Sequence, residues 1–156
     1  MAKQTEEAAV LPSGSTINLD RFEALIEAQE AGKEFELVDE NGKPIGMKIG
    51  LVGPDSQRSQ DAQRSVAEEF SKRAEDRAMA GEATPKDEGD QRMAAYLAKV
   101  ATHWTPEPSF GGQAVPFTEE NVRNFFVKFR IFREQMEARA VWRAPFAPSS
   151  SSGSAS

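Results

Sequence analysis

Apolar side chains recur at helical spacing in four stretches of the chain and alternate with polar ones in a fifth. Phe22, Leu25 and Ile26 predict a short helix from about Leu19 to Ala31, with Asn18 as its N-cap and Gly32 as its stop. The period then falls to two. Phe35 and Leu37 alternate with Glu34 and Glu36, and Met47, Ile49 and Leu51 alternate with Lys48 and Gly50. The turn-formers from Asp39 to Pro44 lie between, so residues 34–52 read as a β-hairpin with one apolar face. That face must rest on a helix, because an isolated hairpin is barely stable.

Gly53-Pro54 closes the second strand, and Asp55 or Ser56 caps a long helix reaching Ala80. Its stripe of Ala62, Val66, Phe70 and Ala74 is narrow, which predicts packing along one seam with solvent elsewhere. Residues 81–90 read as a polar loop, and Met93, Leu97 and Val100 predict a helix from Gln91 to Thr102, ended by His103-Trp104. A Pro- and Gly-rich loop follows. Thr118 reads as the N-cap of the last helix, Glu119 and Glu120 place negative charge at its positive end, and Phe117 with Val122 forms a hydrophobic staple. This helix carries Phe125, Phe126, Phe129, Phe132 and Met136, runs uninterrupted through Lys128-Phe129-Arg130, and ends near Arg139 to Arg143. The fold class is therefore α+β, mainly α-helical with one N-terminal β-hairpin. It forms a single domain over residues 18–146, between a disordered lead-in (1–17) and a disordered Ser-rich tail (147–156).

Composition narrows the range of partners. Ten Phe and two Trp concentrate apolar area in a chain that is only 38% hydrophobic, so a small core is expected. A net charge of −6 disfavours nucleic acid or an anionic membrane as ligand, and no stretch approaches the length of a membrane span. Cysteine is absent, which removes disulfides, thiolate metal sites and Cys nucleophiles and suits a reducing compartment. The polar N-terminus reads as neither a signal peptide nor an anchor.

The chemistry of catalysis is thin. His103 is the one histidine, so a multi-His metal site cannot be built and any His-based triad has a single candidate. The Asp39-Glu40-Asn41-Gly42 loop lacks the alternating oxygen ligands of a calcium loop, and the Gly-rich stretches lack the Lys-Ser/Thr pair of a phosphate loop. No enzyme activity, cofactor or metal is expected. The final helix interleaves Arg123, Lys128, Arg130, Arg133, Arg139 and Arg143 with its Phe residues. A nucleic-acid face is one reading of that pattern. Solvated Arg around a buried or partner-facing Phe stripe is the preferred one, since four Glu share the helix.

The order of these features carries a resemblance. His103-Trp104, then Gly112-Gln113-Ala114-Val115-Pro116-Phe117-Thr118-Glu119-Glu120-Asn121, then Phe125-Phe126, resembles the tail assembly chaperones of long-tailed bacteriophages. In that family a Trp and a Gly-containing loop precede a Pro-Phe-Thr/Ser-x-Glu-Asn helix start and an apolar pair, with Gln135 and Phe146 as looser matches here. The hairpin from Phe35 through Gly42 to Val52-Gly53-Pro54-Asp55-Ser56 is similar to the family's own. Two features depart from it: family members often break midway through the last helical region, and the loop at residues 81–89 is long. The resemblance implies a protein that binds the apolar tape-measure protein, keeps it soluble and helps recruit tail-tube subunits. It also implies possible self-association, action in the host cytoplasm and absence from the mature virion. A virion component such as a connector or tail protein is the alternative, and a nucleic-acid-binding regulator a more distant one. The residues expected to meet a protein partner are Trp104, Phe117, Asn121, Phe125, Phe126, Phe129 and Phe132. The competing expectation is that those aromatics simply form the core.

Overall fold

The computed structural model describes residues 14–148, so expectations for residues 1–13 and 149–156 fall outside it. In chain order the elements are α1 (Asp20–Ala31), β1 (Lys33–Val38), β2 (Pro44–Leu51), α2 (Gln57–Ala80), α3 (Glu88–Val100), β3 (Ala101–Thr105), β4 (Ser109–Phe110), β5 (Gln113–Ala114), α4 (Glu119–Lys128), α5 (Arg130–Ala140) and a 3-10 turn at Ala144–Phe146. This is an α+β, mainly helical fold, with the hairpin where the alternation places it.

The sheet has one more strand than the pattern predicts. β3 adds to β2, giving an antiparallel sheet in the order β1-β2-β3. Phe35, Ile49 and Trp104 form one row across it, all buried. A bulge between Gly50 and Leu51 lets Ala101 and Trp104 share the inner face although they are three residues apart. That spacing hides the period of two, and β3 follows α3 with no breaker between them. The predicted end of α3 at Thr102 therefore moves back to Val100, and its start moves forward from Gln91 to Glu88, shortening the polar loop.

α3 is the central element and touches α2, α4, α5 and β3. Ala94, Ala95, Ala98 and Leu97 are all buried, and the three alanines let neighbouring helices approach closely. α2 meets the core through Ala62, Val66 and Phe70, and through buried Ser59, whose hydroxyl bonds to that of Tyr96. Ala74 of the predicted seam is exposed, so the C-terminal half of α2 is largely solvated. Ser56 caps α2 by accepting from Ser59 N, and Gly81 ends it at φ +71°.

The last helix is two helices. The backbone breaks at Phe129 (φ −106°, ψ 87°), where no Pro or Gly stands, so tertiary contacts override local helix preference. The break re-aims α5 toward the sheet. There the Gln135 amide accepts from Val38 N at 2.9 Å and donates to Val38 O at 2.8 Å, replacing a strand neighbour at the irregular end of β1.

α1 is attached mainly at its C-terminal end. Asn18 accepts from Asp20 N at 2.7 Å, but it stands one position before the cap, which Leu19 takes. Gln29, fully buried, accepts from Asp55 N at 2.7 Å, donates to the Asp55 carboxylate at 3.0 Å, and its carbonyl accepts from Gly53 N. Arg143 donates twice to the same carboxylate, at 2.7 and 2.9 Å. These bonds, from Arg143 first and then Gln29, hold the Asp55 carboxyl below the usual aspartate range. A Cβ on Gly53 would lie 2.4 Å from Gln29 Cγ. Since Gln29 cannot yield without moving α1, Gly53→Ala is expected to cost about 1–3 kcal/mol. Urea denaturation would measure this, and an unchanged midpoint would contradict the clasp.

Candidate protein-docking site

The aromatic residues singled out in the sequence do come together, but at different depths. Trp104, Phe125 and Phe126 are buried, at 5%, 4% and 0% exposure, while Phe117, Asn121, Phe129 and Phe132 are half-buried. Trp104 and Phe117 meet edge to face at 5.6 Å, Trp104 and Phe125 at 5.5 Å, and Phe125 stacks parallel on Phe132 at 5.6 Å. The buried three pack in the core, although Phe125 also forms part of the wall of a surface groove. Burying such rings removes about 150–250 Å² of surface each from water, which outweighs any use of them as a free face.

The motif residues at the start of α4 secure this cluster. Thr118 Oγ1 accepts from Asn121 N at 3.0 Å, and Asn121 Nδ2 donates to Pro116 O at 3.0 Å, so cap and loop are fixed together. Gln135 and Phe146, the looser matches, are structural as well: Phe146 is buried and meets Phe35 edge-on at 5.4 Å. Trp104 Nε1 is buried with no acceptor among the described residues, so the ring is held there by packing.

What faces solvent is the rim. The short β4–β5 hairpin lays Phe110 parallel on Phe129 at 5.6 Å, with the Lys128 ammonium within 5.7 Å of both rings. Beside it runs a groove of about 290 Å³ lined by Phe110, Val115, Asn121, Asn124, Phe125 and Lys128. Phe110 is 38% exposed, and on the solvent side of α4 and α5 so are Val127 (44%) and Ile131 (38%). Sequence reasoning passed over these three. Phe110 sits in a Pro/Gly loop, and Val127 and Ile131, four apart, lie just off the Phe stripe.

Most of the basic side chains of this region are engaged internally. Arg123 donates twice to Glu69, Arg130 pairs with Glu134, Arg133 with Asp90 and Arg143 with Asp55, and the Arg139 guanidinium lies over Phe35. On the outer face of the sheet, Glu34, Gly50 and His103 form one cross-strand row. Because Gly50 has no side chain, His103 Nε2 reaches Glu34 at 2.7 Å, while its Nδ1 meets Thr102 Oγ1 at 2.9 Å. The His103 bond holds the Glu34 carboxyl below the usual glutamate range. This hydroxyl–imidazole–carboxylate chain lies open on the sheet surface, where it clasps the two edge strands across β2.

Among the described residues no helix is long and apolar enough to cross a membrane, and no group of three or more His, Asp or Glu is placed to hold a metal ion. No family model, curated protein or solved structure matches this chain.

Proposed function

We propose that the protein is a tail assembly chaperone of a long-tailed bacteriophage. It binds the tape-measure protein, keeps that apolar chain soluble in the host cytoplasm, and helps bring tail-tube subunits to it. The observation that carries this reading is the Asn- and Lys-edged groove with exposed Phe110 on its wall, together with exposed Val127 and Ile131 on α4 and α5, on a chain whose net charge is −6. An apolar surface with a few polar groups suits capture of hydrophobic segments, and the excess of negative charge keeps the carrier soluble. The motif order supports the reading too, as does the break at Phe129, since the resemblance implies an interruption in that region. The internal pairing of the basic residues favours a protein partner over a nucleic acid.

Co-expression with the tape-measure protein encoded beside it tests the proposal. The expected result is co-purification and a larger soluble fraction of the partner. Neither effect, or abundant copies of this chain in purified virions, overturns it. Val127→Asp with Ile131→Asp should weaken that complex at least about tenfold, or ~1.4 kcal/mol. Because both side chains are exposed, the melting temperature should move by no more than a few degrees, as expected of surface changes worth about 0.5 kcal/mol.

A further inference from the structure

The first helix has an apolar stripe that the fold leaves uncovered. Leu19, Phe22 and Ile26, spaced three and four apart, are 58%, 45% and 45% exposed, and Ile17 just before them is 73% exposed. At 100° per residue these three positions span one narrow face, beside the side of α1 on which Gln29 docks. The same geometry sets Glu23 and Glu27 along the edge of the stripe, while Glu30 in the same row turns to the body of the protein and accepts from Gln57 N at 2.8 Å. Acidic residues outnumber basic ones on α1 by Asp20, Glu23, Glu27 and Glu30 to Arg21, whose guanidinium lies 4.4 Å from the centre of the Phe22 ring. Among the described residues, none of those four carboxylates is in an ion pair.

We propose that this stripe is a docking surface for a basic amphipathic helix of a partner protein, distinct from the groove at α4 and independent of the chaperone reading. Spacing of three and four is what one helix presents to another, and Glu23 and Glu27 along its edge complement Lys or Arg flanking the partner's apolar residues. Charge decides between occupants. A second copy would bring two acidic edges together, and an anionic membrane would be repelled, whereas a basic helix gains attraction at the rim and covers Phe22 and Ile26. The attachment of α1 through Gln29 near its C-terminal end leaves the stripe available without disturbing the core.

The full chain should be titrated into fluorescein-labelled peptides of about 18 residues, some five helical turns. One peptide has Leu at i, i+3, i+4 and i+7 with Lys elsewhere, the second replaces Lys by Glu, and the third scrambles the first. Fluorescence anisotropy should show the Leu/Lys helix binding at least about tenfold more tightly than either control, and weakening as salt rises. Phe22→Asp with Ile26→Asp should abolish that preference. Glu23→Gln with Glu27→Gln, on exposed positions that the fold tolerates, should weaken binding several-fold and flatten its salt dependence. Equal binding of the three peptides, or an unchanged affinity in the Gln pair, overturns the proposal. So does a dimer of the free chain that Phe22→Asp with Ile26→Asp dissociates, which would assign the face to a second copy.

Discussion

Phe126→Asp should unfold the protein. Phe126 is fully buried, with its ring edge-on to Phe125 at 5.3 Å. Truncating such a side chain to Ala costs about 3–5 kcal/mol through lost transfer energy and an unfilled cavity. Aspartate adds an unpaired carboxylate in an apolar site, worth several kcal/mol more before it protonates. A domain of this size has about 5–15 kcal/mol of stability in all, and one with a small core stands near the lower end. Loss of the circular-dichroism transition and gain of dye-binding apolar surface would report the collapse. A folded Phe126→Asp protein that merely fails to bind a partner would show instead that Phe126 belongs to a working surface. Val127→Asp, one residue along and exposed, is the internal control. The same type of change at adjacent positions should have opposite consequences.

The second large effect is expected at Arg133, which is 3% exposed. Its Nη1 donates to the Phe126 carbonyl at 2.9 Å, and its Nη2 lies 3.3 Å from the Asp90 carboxylate. In an unbroken helix the Phe126 carbonyl would accept from the amide of residue 130. The break at Phe129 removes that option, and the guanidinium takes its place at the negative end of the α4 dipole. Arg133→Met keeps an apolar stem and deletes the donor. Leaving the carbonyl unsatisfied costs about 1–3 kcal/mol, and the lost charge–dipole term adds up to about 1 kcal/mol. Asp90 is 57% exposed and regains water, so Asp90→Asn should cost less than about 1 kcal/mol. Chemical denaturation of the two single variants separates these terms. Equal losses would place the stabilisation in the ion pair rather than in the cap.

The two expectations about the Phe-rich segment have thus been divided between neighbouring residues. Trp104, Phe125 and Phe126 serve the core, Phe117, Asn121, Phe129 and Phe132 lie partly at the surface, and Phe110, Val127 and Ile131 are exposed. Periodicity marks a residue as apolar on a given face. It does not say whether that face meets the core or water, because both give the same spacing. α1 makes the point from the other side: Phe22 and Ile26 have the pattern of a core stripe and yet are half-exposed.

What the sequence determined by itself was local. The hairpin follows from alternation and a Gly turn, the long α2 from Ser56 and Gly81, and the start of α4 from Thr118, whose side chain can satisfy the amide of Asn121 without help from the rest of the fold. Tertiary structure decided what depends on distant partners. β3 exists because β2 offers an edge and a bulge, features that leave no period of two in Ala101–Thr105. The chain breaks at Phe129 because Gln135 finds the backbone of Val38, 97 residues away, and Arg133 caps the freed, buried carbonyl of Phe126. Neither bond is encoded near the break, so no reading of neighbouring residues could supply it.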